Sequence, residues 1–329
     1  WLKAQCRGRG EALGPPGGAR ACARGAPMNV KALIRQAKRP EPGAHGLQAA
    51  PCPEGAEVAQ LAALPEVLPP VGVDCLVRSG PPSVWLVEEW LPADAEAQLL
   101  GNLRVRAGDF VQLRGKRTAR FGGDVGPPFS PEALPSWLEQ VCEAVRASLA
   151  AGGVLAQYSP VPNHVLVNHY RPGEGIMPHT DGPAYEPAAA ILSLGSATVF
   201  EFWRDHAHVV GGEPPALALL VPPRSLLVFT EEAYSAHLHG IADRRYDEIT
   251  AVANWSPSSW ARWAPSPWAA RQLEPAAASE AAAEADGDCA GGALPVACGL
   301  RREERWSLTI RRVEPAPHEL PSEDPRPLA

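Results

Sequence analysis

Residues 168–182 read NHYRPGEGIMPHTDG and are the most informative segment of this sequence. His179 and Asp181 stand two residues apart, so on an extended chain their side chains project to one face. Two histidines and one carboxylate are a set that binds non-haem Fe(II) and leaves coordination positions open for other reactants. The sequence therefore predicts a metal site from His179, Asp181 and the later His239. His237 is the alternative third ligand, because it lies two residues before His239 on the same face.

Short segments on both sides of this stretch have the character of β-strands. They are apolar or alternating in polarity, and Gly or Pro interrupts several of the intervals between them. The predicted strands cover residues 164–170, 188–194, 198–203, 216–221, 225–230, 236–241 and 305–313.

Two helices are predicted before these strands. Apolar residues recur with helical spacing from Leu138 to Leu149, and Ser130-Pro131 provides a cap residue followed by a helix-starting proline. This helix is expected to run from there to Gly152, and a shorter one follows Pro92 over residues 93–103. Helices followed by about seven short strands predict an α+β fold with a β-sandwich or jelly-roll core. A βαβ nucleotide-binding fold is disfavoured, since no helices alternate with the strands.

Two pairs of polar residues could bind an anionic co-substrate. Arg305 and Arg311 are six residues apart on the last predicted strand and therefore share a face, as do Asn168 and Tyr170. An arginine fork can pair with a carboxylate through two hydrogen bonds, which a buried dicarboxylate would need. The alternative for Arg305 and Arg311 is a solvated strand edge.

Taken together, these segments resemble the metal-binding signature of the AlkB-like Fe(II)/2-oxoglutarate dioxygenases. The signature at 168–182 is followed in the same order by Ser193-Leu-Gly-Ser, His239-Gly-Ile and the 305–311 segment. GEGIMPHTDGPAY, LHGI and SLTIRRV are most similar to the subfamily of sixth AlkB homologues in animals and plants. The resemblance covers about residues 81–313. It implies a double-stranded β-helix (jelly-roll) core with N-terminal helices packed against it.

The resemblance also implies roles for the candidate residues. Iron as Fe(2+) would be bound by His179, Asp181 and His239. The co-substrate 2-oxoglutarate, used together with O2, would contact Asn168, Tyr170, Arg305 and Arg311, with Arg305 on its distal carboxylate. The implied substrate is an alkylated DNA or RNA base, which is dealkylated by oxidation. Hydroxylation or demethylation of a protein, and a nucleic-acid-binding protein with weak turnover, remain as alternatives.

A basic segment before the strands is a candidate substrate contact. Six Lys or Arg residues and one acid lie between Arg104 and Arg120, whereas residues 81–255 together hold 12 basic and 20 acidic residues. Positive charge for phosphates beside an aromatic residue, Phe121, suits a nucleic-acid contact. The alternative for this basic segment is a solvated turn. Trp203 is a candidate wall of the substrate pocket, and the alternative for it is a position in the core. The candidate contacts are Arg114, Lys116, Arg117, Arg120 and Trp203.

Composition separates a folded part of the 329-residue chain from segments that are unlike the sequence of a hydrophobic core. With 37 Pro and 30 Gly, it approaches the composition of disordered segments. We expect a disordered extension over 1–80, the dioxygenase domain over 81–313 with a low-complexity insertion at about 256–298, and a disordered tail over 314–329. The tryptophans at 260, 263 and 268 either attach the insertion to the domain surface or dock a protein partner.

Charge and cysteine content limit the setting in which the chain works. A net charge of −7 argues against coating nucleic acid or membrane, and no apolar run reaches the roughly 18 residues of a membrane helix. Seven cysteines without a C-x-x-C pair argue against a disulfide scaffold or a thiolate zinc site. We therefore expect a soluble monomer of the cytoplasm and nucleus. The basic residues 1–39 leave an organelle transit peptide as the alternative to disorder.

Overall fold

The computed structural model describes residues 61, 64–65, 67–126, 129–154, 161–275 and 298–313. Two antiparallel sheets face each other within them, one of seven strands and one of four. Numbered in chain order, the strands are β1 Val84–Val87, β2 Val111–Leu113, β3 Lys116–Phe121, β4 Gly123–Asp124, β5 Ser130–Pro131, β6 His164–Tyr170, β7 Ile176–His179, β8 Ala188–Leu194, β9 Thr198–Trp203, β10 Leu217–Val221, β11 Leu226–Thr230, β12 Leu238–Ile241, β13 Tyr246–Glu248, β14 Leu273–Pro275, β15 Cys298–Arg301 and β16 Arg305–Arg311.

Six α-helices accompany the strands in the part of the chain that the structure describes. They are α1 Ala93–Val105, α2 Ser136–Ala151, α3 His206–Val210, α4 Glu231–Ser235, α5 Pro257–Trp263 and α6 Pro267–Gln272. Among the residues that the structure describes, no helix combines the length and the apolar character that crossing a membrane requires.

The larger sheet has the strand order β1-β11-β8-β16-β6-β3-β2, and the smaller sheet has the order β10-β9-β12-β7. All seven strands predicted from the sequence are present, with shifts of one or two residues at their ends. β1, β2, β3 and β7 were missed because each is short or interrupted by polar residues. The two facing sheets confirm the predicted α+β class and the double-stranded β-helix core.

Strand alternation separates the two faces of the larger sheet. Outward-facing residues such as Val167, Leu308 and Ile310 are buried beneath α1 and α2 in one apolar cluster. The inward-facing residues of the same strands meet the smaller sheet across a second cluster that includes Phe200 and Phe229. One face of each strand therefore supports the helices, and the other surrounds the interior of the jelly roll.

The second helix begins later than the sequence predicted. It starts at Ser136 after Pro135, whereas Ser130–Pro131 forms β5 and pairs with Gly123–Asp124. A proline disfavours helical backbone at the residue before it and has no N–H of its own, so a helix cannot run through Leu134-Pro135. The domain also begins before residue 81, because the fully buried Val71 donates its backbone N–H to Ser148.

The predicted low-complexity insertion is folded in its first part. Residues 256–275 form α5, α6 and β14, and Ser256 starts α5 with a reciprocal capping box to Ser259. Trp263 and Trp268 are only 2% and 4% exposed and pack on the outer face of the smaller sheet. These tryptophans therefore belong to a third apolar layer. Residues 276–297, and the predicted disordered ends over 1–60 and 314–329, lie outside the described residues.

Candidate metal and co-substrate site

The predicted metal ligands lie together at one edge of the smaller sheet. His179 ends β7, Asp181 follows two residues later, and His239 on β12 is the direct cross-strand partner of His179. The two imidazole rings have centroids 4.5 Å apart, and one ligand atom from each of the three residues lies within 4.8 Å of the others. His237 is outside this group, and its Nδ1 lies 3.2 Å from the carbonyl oxygen of Glu232.

Gly240 allows β7 and β12 to approach closely beside these ligands. A Cβ atom at Gly240 would lie 2.7 Å from the carbonyl oxygen of Ile176 and 3.1 Å from the nitrogen of Pro178. Both contacts are with backbone, which cannot rotate away. The glycine after His239 is therefore required for the strand spacing that brings His239 opposite His179.

Charges around the triad favour the protonation states that bind a metal. Burial acts to raise the pKa of Asp181, but Arg311 and the two histidines outweigh it and hold this pKa below its usual value. Arg311 places Nη1 2.6 Å from Oδ1 of Asp181. Burial lowers the pKa of His179, and burial together with His179 lowers the pKa of His239 to about 3. At neutral pH the site therefore presents a carboxylate and two neutral imidazoles.

Unpartnered polar atoms agree with a bound cation. Oδ2 of Asp181 and Nδ1 of His239 are buried and have no hydrogen-bond partner among the described residues. Nδ1 of His179 lies 2.9 Å from the carbonyl oxygen of Met177, which leaves its Nε2 available as a ligand. Buried polar atoms normally have partners, so unpartnered atoms at this position fit residues that contact a metal ion. Two imidazoles and one carboxylate fit Fe(II), with coordination positions left open.

Three phenylalanines line the metal site, and the sequence analysis missed them. The ring centroids of Phe200, Phe202 and Phe229 lie 5.7, 6.3 and 4.9 Å from that of His239. Phe202 is the cross-strand partner of His239, which fixes the inward face of β9. Trp203 is the next residue, so strand alternation directs its buried side chain away from His239, which favours the alternative of a core position over a wall of the pocket. Only the register between β9 and β12 could have distinguished the two aromatic residues.

Arg305 is poised to bind a carboxylate inside the jelly roll. Its side chain is 3% exposed, its Nη2 donates to Ser193 at 2.8 Å, and its guanidinium lies 5.5 Å from the Tyr170 ring centroid. Nε and Nη1 are buried without a partner among the described residues. Burial lowers the pKa of Arg305 to about 10, so it stays cationic at neutral pH. Its open donors fit one carboxylate of 2-oxoglutarate.

The predicted basic patch does not form a single surface. Lys116 is buried on the inward face of β3, and its Nζ donates to Oδ1 of Asn168 at 2.7 Å. Arg117, the next residue, faces the other side, where it donates to Ala107 and lies over the ring of Phe110. Lys116 is therefore not available to grip a phosphate on the outer surface, and the half-buried Arg117 faces the opposite side of the sheet, so the two do not act as one phosphate-binding patch.

The two remaining candidate contacts, Arg114 and Arg120, are exposed, but Phe121 does not lie beside them on the surface. Arg114 lies at the exposed β2–β3 turn, and Arg120 is exposed beside Asp124. Phe121 is buried against Trp137 with ring centroids 6.1 Å apart. It belongs to the core below the helices, so the predicted stacking of a base on Phe121 is wrong.

The jelly-roll core and the His-Asp-His site are those of a known superfamily of oxygenases. A family model described as the 2OG-Fe(II) oxygenase superfamily matches residues 96–311. The chain belongs to this superfamily and is an oxidoreductase that uses Fe(2+), 2-oxoglutarate and O2.

Comparison with individual proteins shows which members of the superfamily this chain is similar to. A zebrafish (Danio rerio) protein named "Probable RNA/DNA demethylase ALKBH6" is 37% identical over 177 residues, which are 50% of this chain and 72% of that protein. The mouse protein named "tRNA (carboxymethyluridine(34)-5-O)-methyltransferase ALKBH8" is 30% identical over 181 residues, 52% of this chain and 26% of that protein. The solved structure titled "The structure of OsALKBH1" aligns with a TM-score of 0.44 at 15% identity, over 70% of this chain and 99% of that one. The resemblance to AlkB-like dioxygenases, and to their sixth homologues, is confirmed by the first of these relatives.

Proposed function

We propose that this dioxygenase removes alkyl groups from the bases of DNA or RNA by oxidation. The bound iron supplies oxidation of a substrate C–H bond by O2, coupled to decarboxylation of 2-oxoglutarate to succinate and CO2. One oxygen atom enters the substrate and the other enters succinate. An N-methyl group then becomes an N-hydroxymethyl group, which releases formaldehyde and leaves an N–H on the base.

Different side chains of the jelly-roll interior have different roles in this reaction. Arg305 and Ser193 hold the distal carboxylate of 2-oxoglutarate, and Arg311 holds Asp181 in the orientation needed for the metal. The phenylalanines around His239 exclude water from the reacting atoms. The proposed iron ligands are His179, Asp181 and His239, and the proposed co-substrate residues are Asn168, Tyr170, Arg305 and Arg311.

The similarity to an AlkB-like relative is the observation that carries the nucleic-acid substrate. The zebrafish relative is 37% identical over 50% of this chain and 72% of its own length, and its printed name describes a probable RNA/DNA demethylase. The positive charge that a phosphodiester backbone requires is present at the exposed Arg114 and Arg120, although the whole chain carries −7. The printed names of the zebrafish and mouse relatives support the same class of substrate.

Exposed arginines near the interior are proposed contacts for the phosphate backbone. Arg120 lies on the inward face of β3 at its far end and pairs with Asp124 at 2.9 Å, with side chains 57% and 69% exposed. A salt bridge this exposed contributes little, so Arg120 can exchange Asp124 for a phosphate at small cost. Arg114 at the β2–β3 turn is the second proposed contact.

A substrate panel tests this proposal. The full chain is incubated with Fe(II), 2-oxoglutarate and O2, together with N-methylated single-stranded DNA, N-methylated RNA or an N-methylated peptide. We expect formaldehyde and the demethylated base from one of the nucleic acids, and none from the Asp181→Ala variant. Demethylation or hydroxylation of the peptide alone would support the protein-modifying alternative. Tight oligonucleotide binding without product would support the binding-protein alternative.

Location and assembly remain proposals from the sequence. We propose a monomer that works in the cytoplasm and nucleus. Imaging of a tagged full chain tests the location, and sedimentation equilibrium tests the monomeric state.

A further inference from the structure

Lys116 is a buried lysine in the interior of the jelly roll. Its side chain extends from the first residue of β3, and only 8% of the residue is exposed. Lysine is almost never buried to this degree unless it is paired. Its neighbours here are an amide and an aromatic ring: Nζ lies 2.7 Å from Oδ1 of Asn168 and 6.0 Å from the Tyr170 ring centroid. The iron triad does not explain this arrangement, because within the described residues the hydrogen-bond partner of Lys116 is Asn168 and none of the three metal ligands.

The hydrogen bond determines how the Asn168 amide is oriented. An ammonium group has three donors and no acceptor, so the amide must turn its oxygen toward Lys116. The Nδ2 donors of Asn168 are then directed away from Lys116. Asn168 pairs with Ser307 on β16, between the inward-facing Arg305 and Arg311. A ligand held by these arginines would therefore meet the N–H groups of Asn168 rather than its carbonyl oxygen.

Charge in this region points to an anionic ligand beside Lys116. Lys116 and Arg305 stand on the strands flanking Tyr170, each within 6.0 Å of its ring centroid. Asp181, the carboxylate that acts electrostatically on Lys116, is already paired with Arg311, and the buried Asp247 is paired with Arg302. The two cations beside Tyr170 thus lack a buried counter-charge among the described residues, and a dianion would supply it.

We propose that Lys116 is a positioning residue for 2-oxoglutarate, which fixes the Asn168 amide with its donors toward the co-substrate and adds positive charge to the pocket. This inference rests on the proposed role of Asn168 in the co-substrate site. The β2–β3 hairpin then takes part in co-substrate binding through Lys116, in addition to any contact that its exposed arginines make with substrate.

Equilibrium binding of 2-oxoglutarate tests the inference without turnover. Isothermal titration of the full chain loaded with Mn(II) under argon compares the wild type, Lys116→Met and Lys116→Arg. We expect Lys116→Met to weaken 2-oxoglutarate binding by about 10- to 100-fold, the range for losing a hydrogen bond to a charged group. Lys116→Arg should restore affinity to within about threefold, because it keeps the charge and the donors. Wild-type affinity in Lys116→Met would overturn the proposal.

Arg117→Met is the matched control, since Arg117 is the adjacent cation on the outward face. It should leave 2-oxoglutarate affinity unchanged even if it lowers the melting temperature. In succinate assays without a nucleic-acid substrate, Lys116→Met should raise KM for 2-oxoglutarate much more than it lowers kcat. Equal losses in the Lys116 and Arg117 variants would show a merely structural role and overturn the proposal.

A double-mutant cycle connects Lys116 to Asn168. If Lys116 acts through Asn168, adding Lys116→Met to Asn168→Ala should cost less affinity than Lys116→Met alone. Fully additive losses would overturn the positioning role. Should Lys116→Met fail to fold, Lys116→Gln replaces it throughout, with a loss of about 5- to 10-fold expected because one neutral donor remains. Failure of nucleic-acid dealkylation would leave all these affinities unchanged, so the two proposals fail separately.

Discussion

The two faces of the larger sheet are built from alternate residues of the same strands but satisfy opposite requirements. On β16, Trp306, Leu308 and Ile310 face outward and are buried beneath the helices. Arg305 and Arg311 face inward, where nitrogen atoms of both guanidinium groups remain unpartnered among the described residues. The outward face thus gains stability from apolar burial. The inward face keeps buried cations whose free donors can bind ligands. These buried charges lower the stability of the fold, and the same free donors are what the function requires.

The largest expected effect comes from removing a metal ligand on the inward side. Asp181→Ala should reduce iron content and succinate production to background, because three protein ligands are the minimum for this site. The melting temperature of the metal-free protein should also fall, because the buried Arg311 loses its ion-pair partner, but the protein should still fold because Asp181 lies outside the apolar clusters. Metal analysis and a succinate assay measure the loss. His237→Ala is the control and should keep both iron and turnover; its inactivity would contradict the choice of His239.

The outward face should respond in stability alone. Leu308 is fully buried among the helices and outward-facing strand residues. Leu308→Ala should lower the free energy of unfolding by about 2–5 kcal/mol, through lost burial and the cavity left behind. Urea unfolding measures this change, and 2-oxoglutarate affinity of the folded fraction should match the wild type. A loss of affinity as large as that of an inward variant would break the division between the faces.

Arg305→Met sharpens the comparison, because it replaces an inward cation by an apolar side chain of similar length. We expect 2-oxoglutarate affinity to fall by roughly 100-fold, as for truncation of a buried charged pair. The free energy of unfolding should rise, since an uncompensated buried charge is removed. Titration and urea unfolding of the same preparation measure both. A variant with lower stability and normal affinity would show that Arg305 serves the fold instead.

The smallest expected effect is a dependence on pH that involves Lys116. Burial, followed by Arg311, lowers its pKa from 10.5 to about 8, while Asp181 opposes the shift. Between these two pKa values the unfolded chain binds the proton more tightly, so the free energy of unfolding should increase from pH 8 upward. Affinity for 2-oxoglutarate should fall over the same range, by at most about tenfold per pH unit for one proton.

Neighbouring groups should not produce this pH profile. Tyr170 has its pKa raised by burial to about 12, and Arg305 keeps a pKa of about 10. Titrations of the Mn(II)-loaded protein between pH 7 and 9 therefore isolate Lys116. Lys116→Arg should show a flat profile over this range. A profile of the wild-type shape in that variant would assign the titration to another group.

The sequence predicts those features that depend on local spacing. His179 and Asp181 are two residues apart on an extended segment, and Arg305 and Arg311 share the parity of one strand, so their common faces follow from the period of a strand. Predicting the common face of Arg305 and Arg311 did not require the pairing of β16 with its neighbouring strands. Local spacing also identified the strands whose apolar content is high.

Features that depend on register between distant strands could not be predicted. The choice between Phe202 and Trp203 requires the pairing of β9 with β12, and the inward direction of Lys116 requires the pairing of β3 with β6. Charge alone suggested that Lys116 and Arg117 act together, although adjacent residues on a strand face opposite ways. Trp263 and Trp268 lie in a segment of low complexity, and their burial depends on the outer face of a sheet that the sequence did not describe.

The central position of β16 has a consequence for synthesis of the protein. β16 is the last of the described strands to leave the ribosome, yet it lies between β8 and β6 in the middle of the larger sheet. Until it is translated, β8 and β6 both present unpaired edges, which are templates for aggregation. Pairing β16 with strands made long before is a non-local step that folds slowly. A nascent chain therefore lacks both co-substrate arginines and the strand that joins the two halves of the sheet, so it remains inactive until β16 is complete.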